Sequence, residues 1–307
     1  MTARSAAVAL ALASSLEAVG AQPPPATFRA ETRLVVLHAT VKNRRGVEVP
    51  DLDERAFRVY ENGKRQPITL FRRDDIPVSL GLLIDNSGSM RTLRERVEAA
   101  ALAFVRASNA LDEVSVLNFA DKPRIDVPLT NDIRRLEAGI ARVDSIGGTA
   151  LRDAVGAAHT YLSEHAVHDR RVLLVITDGR DNASTATVRD IQRATEQTDT
   201  AVYAVGVFRD PESTDAKEGR RELDALTQHT GGTAYYPTTA DGLDAIVADL
   251  ARQIRNQYTI AYAPTNQALD GTYRRIHLEA HGSEPLVVRT RAGYVAARGD
   301  AQDRLPR

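Results

Sequence analysis

The feature that most constrains the fold is a set of short apolar strands that alternate with amphipathic helices between Pro77 and Asn256. Four strand-like segments are apolar on both faces: Val78 to Ile84, Val114 to Phe119, Arg171 to Thr177 and Ala201 to Val207. Apolar residues recur at helical spacing between and after them, as in the series Leu151, Ala154, Val155, Ala158 and Leu162. Strands that are buried on both faces require helices on both sides of a mostly parallel sheet. The pattern therefore predicts a layered α/β domain over residues 77–256.

The segments on either side of this domain are short and β-rich. Residues 32–76 contain the run Leu34 to Val41, and an Asn62-Gly63 pair between alternating segments that is typical of a tight hairpin. Residues 257–296 contain three further strand-like runs, which are Tyr258 to Tyr262, Tyr273 to Leu278 and Leu286 to Arg289. Because the two flanks bracket the α/β domain, we expect them to pack together as one small accessory sheet.

The two ends of the chain have a different composition. Residues 1–21 resemble a secretory signal peptide, since Arg4 precedes the apolar stretch Ala6 to Leu12 and small residues precede Gln22. Residues 22–31 are predicted to be a proline-stiffened linker, and the polar residues 297–307 a disordered tail. No other apolar stretch approaches the roughly 20 residues of a membrane-spanning helix. We therefore expect an exported chain, periplasmic or secreted, whose mature form has no membrane-spanning segment.

The overall composition excludes several classes of site. The 40 basic and 41 acidic residues give a net charge of -1, so nucleic acid or an anionic membrane is not expected as the main partner. The chain has no cysteine, which excludes disulfide bonds, zinc-thiolate sites and thiol catalysis. The seven histidines show no metal-ligand spacing, and His159, His165 and His168 are predicted to be surface residues.

Oxygen-bearing side chains cluster where two of the predicted strands end. Asp85, Ser87 and Ser89 follow the first apolar strand, and Asp178 follows the strand Arg171 to Thr177. Ligands of open parallel sheets bind beyond the carboxyl ends of the strands, so the two carboxylates are expected to face one crevice. Two carboxylates that share a crevice repel each other, and a divalent cation relieves this repulsion.

A separate glycine-rich loop can contribute to the same site. In Ile146-Gly147-Gly148-Thr149, the two glycines allow a close approach of the backbone and Thr149 supplies another hydroxyl. Carboxylate and hydroxyl oxygens are hard ligands, which suit magnesium, manganese or calcium rather than zinc or copper.

These motifs resemble the von Willebrand factor type A (VWFA) domain. Its metal-ion-dependent adhesion site is similar to the combination found here: Asp-x-Ser-x-Ser after a buried strand, a distant Gly-Gly-Thr turn and Thr-Asp-Gly after another strand. The resemblance covers about Pro77 to Asn256 and places Asp85, Ser87, Ser89, Thr149 and Asp178 at the five ligand positions. The β-rich flanks also resemble those of exported bacterial proteins that carry such a domain.

The resemblance implies a doubly wound, Rossmann-like fold that holds one divalent ion, Mg²⁺ or alternatively Mn²⁺ or Ca²⁺. Ser87 and Ser89 would bind the ion directly, while Asp85, Thr149 and Asp178 complete the shell, some of them through water. It also implies a non-enzymatic adhesion or assembly module, in which a partner protein presents an aspartate or glutamate to the metal.

The Asp-x-Ser-x-Ser motif also has interpretations that involve no metal. The Asp-x-Ser-x-Ser string could cap a helix, because aspartate and serine accept hydrogen bonds from free amides at helix starts. A serine nucleophile is disfavoured, since no Gly-x-Ser-x-Gly elbow or activating histidine motif is present. Nucleotide binding is disfavoured because neither glycine-rich phosphate motif occurs. Two alternative functions stay open, a metal-dependent hydrolase on the same sheet and a structural subunit of an envelope assembly.

Overall fold

The structure, a computed structural model, describes residues 33–73, 75–142 and 146–297. The predicted signal peptide, the linker 22–31 and all of the predicted tail except Ala297 lie outside these residues. Described residues from Arg33 onward cluster as one compact unit. None of the helices in these ranges is long and apolar enough to cross a membrane.

A six-stranded sheet forms the centre of the α/β domain, with the strand order β10-β9-β8-β5-β6-β7. Every neighbouring pair is parallel except β6 with β7, which is antiparallel. The strands are β5 (Ser79–Asp85), β6 (Glu113–Phe119), β7 (Pro123–Thr130), β8 (Arg171–Thr177), β9 (Ala201–Gly206) and β10 (Ala234–Tyr235). All seven residues of β5 are buried, as expected for a central strand that is covered on both faces. This arrangement confirms the predicted mostly parallel sheet.

Six helices cover the two faces of this sheet. They are α1 (Arg94–Ala107), α2 (Ile133–Ile140), α3 (Leu151–His165), α4 (Val188–Glu196), α5 (Thr214–Gln228) and α6 (Ala240–Arg255). Buried residues of α1, α2 and α6 share one core with one face of the strands. Buried residues of α3, α4 and α5 share a second core with the other face. The domain is therefore doubly wound.

The strand order reverses at β5, which places a crevice at the carboxyl end of this strand. From β5 the chain continues to β6 on one side, and later returns to β8 on the other side. Ligands bind at such switch points because the connecting loops diverge there. Asp85 is the last residue of β5 and Thr177 the last of β8, so the two strand ends lie side by side.

The two flanks form two accessory sheets rather than one, which corrects the expectation of a single sheet. Their strand orders are β13-β1-β11-β4 and β14-β12-β2-β3, and each order mixes strands from both flanks. The strands are β1 (Val35–Asn43), β2 (Phe57–Glu61), β3 (Lys64–Gln66), β4 (Ile68–Arg72), β11 (Tyr258–Tyr262), β12 (Tyr273–Ala280), β13 (Leu286–Arg289) and β14 (Gly293–Val295). The predicted Asn62-Gly63 hairpin joins β2 to β3, and both of its residues have positive φ.

The two accessory sheets face each other across one apolar core, so the flanks form a small β-sandwich. The Phe57 ring of β2 lies 4.9 Å from the Tyr258 ring of β11, which belongs to the other sheet. The buried Glu61 of β2 accepts hydrogen bonds from the hydroxyls of Tyr262 and Tyr294, each at 2.9 Å. Two sheets are needed because a single short sheet would leave this apolar face in water.

Polar and main-chain contacts join the sandwich to the α/β domain. Gln257, which links α6 to β11, donates to the hydroxyls of Thr40 at 3.0 Å and Tyr203 at 2.8 Å, and accepts a hydrogen bond from Arg170. All four side chains belong to buried residues. Burial lowers the pKa of Arg170 to about 10. The junction is therefore a buried, hydrogen-bonded polar network centred on Gln257.

Candidate metal site at the sheet switch point

Asp85 lies buried at the base of the crevice, with both carboxylate oxygens engaged. Its side chain accepts hydrogen bonds from the Ser87 backbone N–H at 2.8 Å and from the Thr177 hydroxyl at 2.6 Å. The bond from Ser87 closes a tight turn directly after β5, a conformation that aspartate side chains favour. This turn explains why the strand ends at Asp85.

The predicted ligands on the two strand ends follow one another in a row. The Asp85 carboxylate accepts a hydrogen bond from the Ser87 N–H, the Ser87 and Ser89 hydroxyl oxygens lie 3.0 Å apart, and Ser89 and Asp178 line one cavity. Asp85 and Ser87 are buried and Ser89 is exposed. The row therefore runs from the sheet interior to the surface.

Thr149 reaches this row from a separate loop that is fixed on both sides. The Gly147 carbonyl accepts a hydrogen bond from the Gly88 N–H at 3.1 Å, which joins the loop to the serine turn. The Thr149 N–H donates to the Asn182 side chain at 2.8 Å, and the Asn182 N–H donates back to the Thr149 carbonyl at 3.0 Å. These contacts hold the three loops of the site together.

Ser89, Thr149 and Asp178 line a cavity of about 320 Å³. Its wall also carries the carboxylates of Asp210 and Asp215 and the guanidinium groups of Arg180 and Arg209. Carboxylates outnumber guanidinium groups in the cavity wall, so its charge favours a cation. Three of the five predicted side chains thus line this cavity, while Asp85 and Ser87 are buried and do not line it.

Burial raises the pKa of both candidate carboxyl groups. The pKa of Asp85 rises from 3.8 to about 6, because burial disfavours the charged form more than hydrogen bonds from Ser87 and Thr177 favour it. The pKa of Asp178 is also raised by burial, against the opposing effects of the Ser89 hydrogen bond and Arg209. No described lysine, arginine or histidine forms an ion pair with either carboxylate.

The side chains present fit a hard divalent cation. A site with two carboxylates and three hydroxyls offers only oxygen ligands, as magnesium, manganese and calcium prefer. Each oxygen of Asp85 accepts one hydrogen bond, from the Ser87 N–H or the Thr177 hydroxyl, and retains a further lone pair. Among the described residues, no three histidine, cysteine, aspartate or glutamate side chains form a metal cluster. A divalent cation at this site would therefore need hydroxyl oxygens among its ligands.

The alternative interpretations of the motif agree less well with this geometry. Ser87 precedes a short 3-10 helix (Gly88–Thr92), but its side chain makes no capping hydrogen bond. Within the described ranges, no histidine is hydrogen-bonded to Ser87 or Ser89, so neither hydroxyl has a partner that would activate it as a nucleophile.

Several residues that hold the site together were not predicted from the sequence. Thr177 supports Asp85, Asn182 supports Thr149, and Asp121 accepts a hydrogen bond from the Gly148 N–H at 2.6 Å. Gly147 has a φ of +96°, and a Cβ there would lie 2.4 Å from Asp121 Oδ2, so the loop requires glycine. The side chain of Asp181 is fully buried and pairs with Arg152 at 3.1 Å, at the start of α3.

A family comparison covers the whole of this site. Residues 80–180 match the family model described as the von Willebrand factor type A domain. The match begins inside β5 and ends two residues after Asp178, so it includes all five candidate ligands. A comparison with curated protein sequences found no match.

Two solved structures with a TM-score of 0.50 share the fold at low sequence identity, and a third lies just below this score. The pilus adhesin SpaC from Lactobacillus rhamnosus GG is 12% identical with a TM-score of 0.50, over 84% of this chain and 51% of that chain. Proximal thread matrix protein 1 from the mussel byssus is 16% identical with a TM-score of 0.50, over 64% of this chain and 51% of that chain. A von Willebrand factor type A protein from Catenulispora acidiphila is 14% identical with a TM-score of 0.49, over 87% of this chain and 75% of that chain.

Proposed function

We propose that the chain is a non-enzymatic, divalent-metal-dependent protein-binding module for adhesion or assembly, since its residues 80–180 match the family model of the von Willebrand factor type A domain. The proposed ligands of one Mg²⁺, or of Mn²⁺ or Ca²⁺, are Asp85, Ser87, Ser89, Thr149 and Asp178. The bound ion supplies a Lewis-acid position that accepts an aspartate or glutamate side chain of a partner protein.

One observation carries this proposal: two carboxylates lie at the switch point, and neither forms an ion pair with a described residue. Asp85 is fully buried and Asp178 is partly buried. A buried carboxylate without a counterion costs free energy, which a cation offsets. The 3.0 Å contact between the Ser87 and Ser89 hydroxyl oxygens supports the proposal further, because the same oxygens can turn toward an ion.

The residues of the chain have separate tasks in this proposal. Asp85 and Asp178 supply negative charge, while Ser87, Ser89 and Thr149 supply neutral oxygens that leave the ion with positive charge for a partner. Thr177 and the Ser87 N–H orient Asp85, and Asn182 orients the backbone of Thr149. An exported location, periplasmic or secreted, is part of the same proposal and rests on residues 1–21.

Replacement of Asp85 by asparagine tests the metal site. Asparagine keeps the shape and one acceptor oxygen but removes the charge, so we expect Mg²⁺ and Mn²⁺ affinity to fall by at least about tenfold, since it replaces a charged ligand. Isothermal titration calorimetry of the full chain measures this change.

Asp112→Asn provides the matched control. Asp112 is also buried, at the opposite end of the sheet, and accepts hydrogen bonds from the backbone N–H groups of Val78 at 2.9 Å and Asn109 at 2.8 Å. We expect this variant to retain the metal affinity of the unmodified chain. Equal metal affinity in Asp85→Asn and the unmodified chain would falsify the assignment.

A further inference from the structure

The cavity beside the candidate metal site has a second charged feature that the metal does not use. The segment that follows β9 contributes Phe208, Arg209 and Asp210 to the cavity wall, and Arg209 and Asp210 are exposed. The Arg209 guanidinium donates through Nη2 to the Thr92 hydroxyl at 2.8 Å and toward the Ser89 carbonyl at 3.5 Å. Arg209 therefore lies directly beside a proposed metal ligand.

Arg209 differs from the other guanidinium group in the cavity wall. Arg180 is paired with Asp215 and lies 3.6 Å from Glu218. Arg209 forms no ion pair with a carboxylate in the described part of the chain. The neighbouring Asp210 instead accepts a hydrogen bond from the Glu212 N–H at 3.1 Å. The cavity wall thus presents one guanidinium that forms no ion pair with a described residue, although its charge acts on the nearby Asp178 and partly offsets the rise that burial causes in the pKa of that carboxyl.

The segment that carries Arg209 is held in place by the sheet and by aromatic packing. The Val207 N–H donates to the Thr177 carbonyl at 2.9 Å, which extends the pairing of β9 with β8. The Phe208 ring stacks on Tyr236 with the centroids 5.9 Å apart. A Cβ at Gly179 would lie 3.2 Å from the Phe208 ring, so this ring packs closely on the Thr177-Asp178-Gly179 turn. A fixed guanidinium loses little entropy when it binds an anion.

We propose that this cavity binds a partner segment with two acidic residues close in sequence. One acidic side chain completes the metal shell, and the second pairs with Arg209. Ser89 connects the two positions, since its hydroxyl belongs to the proposed shell and its carbonyl faces the guanidinium. Acidic residues at alternate positions of an extended peptide point to the same side, so such a pair can reach both. This inference rests on the proposed function of the site.

Two short peptides and three arginine variants test the inference. The probes are the N-acetylated, C-amidated peptides Gly-Glu-Gly-Glu-Gly and Gly-Glu-Gly-Gln-Gly, which differ by one negative charge. Calorimetry measures their binding to the Mg²⁺-loaded full chain, after a titration with Mg²⁺ alone. We expect the two-acid peptide to bind between about threefold and tenfold more tightly, as for one partly exposed, charge-assisted hydrogen-bonded pair.

The Arg209→Gln variant should bring this ratio close to one while Mg²⁺ binding is retained, since the loss of a positive charge beside Asp178 does not weaken a cation site. Arg180→Gln is the matched control and should keep the ratio, because Arg180 already has partners in the chain. Arg209→Lys keeps the charge without the planar fork and should give an intermediate ratio. Circular dichroism establishes that each variant is folded.

The possible outcomes separate the two proposals. If Mg²⁺ does not bind the unmodified chain, or if the peptides bind equally well with EDTA present, the proposed function fails and this inference fails with it. If Mg²⁺ binds but the peptides do not bind, bind equally, or keep their ratio in Arg209→Gln, only the inference is overturned.

Discussion

At the residue scale, Asp85 has both a structural role and a proposed ligand role. Its carboxylate closes the turn after β5 through the Ser87 N–H and holds the end of β8 through the Thr177 hydroxyl. A buried acceptor or donor that loses its hydrogen-bond partner lowers the stability of the fold by about 1–3 kcal/mol. Replacement by alanine would therefore disturb the fold as well as the charge, and asparagine separates the two effects better.

The raised pKa of Asp85 would make the proposed metal binding depend on pH. With a pKa of about 6 in the metal-free chain, protonation of Asp85 competes with the cation below that pH. We expect Mg²⁺ affinity to be nearly constant between pH 7 and 8, and about tenfold weaker at pH 5 than at pH 8. Calorimetric titrations at these three pH values measure the effect, and the same affinity at pH 5 and pH 8 would contradict it.

The same residue influences the stability of the metal-free chain. Because the folded state binds the Asp85 proton more tightly than the unfolded state, the contribution of Asp85 to the free energy of unfolding decreases as pH rises from about 3.8 to about 6. The metal-free Asp85→Asn variant lacks this contribution. The difference in the free energy of unfolding between this variant and the unmodified chain should therefore change over the same pH interval.

Residue patterns predicted which side chains gather at the site, but not what holds them there. Asp85, Ser87, Ser89 and Asp178 follow strands and could be placed from strand order. Thr177 looked like an ordinary strand residue, since nothing local shows that its hydroxyl meets Asp85 on the neighbouring strand. Support of this kind depends on strand pairing, which a single sequence does not display.

The surface prediction for His159 was wrong. His159 is buried, 5% exposed, and its Nε2 atom lies 3.0 Å from the Thr198 hydroxyl. Its position, four residues after Val155 and three before Leu162, lies on the apolar face of α3, so helical spacing alone could have indicated its burial. Burial lowers its pKa.

At the element scale, the strands that are buried on both faces were predicted, whereas β7 and α4 were not. β7 is an antiparallel edge strand in which only Val127 is buried. In α4 only Ile191 and Thr195 are buried, so its apolar face is too narrow to stand out from a loop. The second accessory sheet was missed because pairing between distant flanks follows from tertiary packing rather than from local pattern.

The connection between α5 and β10 allows an element-scale test. Gly231 has a φ of +85°, and a Cβ there would lie 2.6 Å from the Arg291 nitrogen of the sandwich. Gly63 has a φ of +79° in the β2–β3 hairpin, with nothing within 4 Å of the same position. Substitution to alanine should cost about 1 kcal/mol at either site because of positive φ. The backbone clash adds to this cost only at Gly231.

Chemical denaturation of Gly231→Ala and Gly63→Ala measures this difference. We expect a distinctly larger loss of unfolding free energy for Gly231→Ala, since the backbone of the 290–291 segment must shift to make room for the new methyl group. Equal losses in the two variants would show that residues 290–291 move aside without a loss of unfolding free energy. This result would contradict the close packing of Gly231 against them.

At the scale of the whole molecule, the α/β domain and the sandwich share a buried interface but have separate apolar cores. The cores of the six-stranded sheet contain no residue of the sandwich strands, and the sandwich core contains no residue of the α/β helices. The polar network around Gln257 joins them. The domain boundaries at residues 77 and 256 remain predictions.

A fragment of residues 77–256 tests these boundaries. Because its cores are self-contained, we expect it to unfold cooperatively and to bind Mg²⁺ with an affinity close to that of the full chain. Its unfolding free energy should be lower, since Arg170 and Tyr203 lose the Gln257 side chain. Denaturation and calorimetry measure both properties. A fragment that is unfolded, while the full chain is folded, would show that the boundaries are wrong.

The interleaving of the two flanks has a mechanical consequence. The α/β domain is inserted between β4 and β11, while Arg33 and Ala297 meet through a hydrogen bond of 2.9 Å from Nη1 to the carbonyl. A tensile load applied at these two residues would first cross the sandwich, where β1 pairs with both β11 and β13. The α/β domain would lie outside the load path until those strands separate. A module anchored through both flanks could thus carry a tensile force while the crevice at Asp85 keeps its shape.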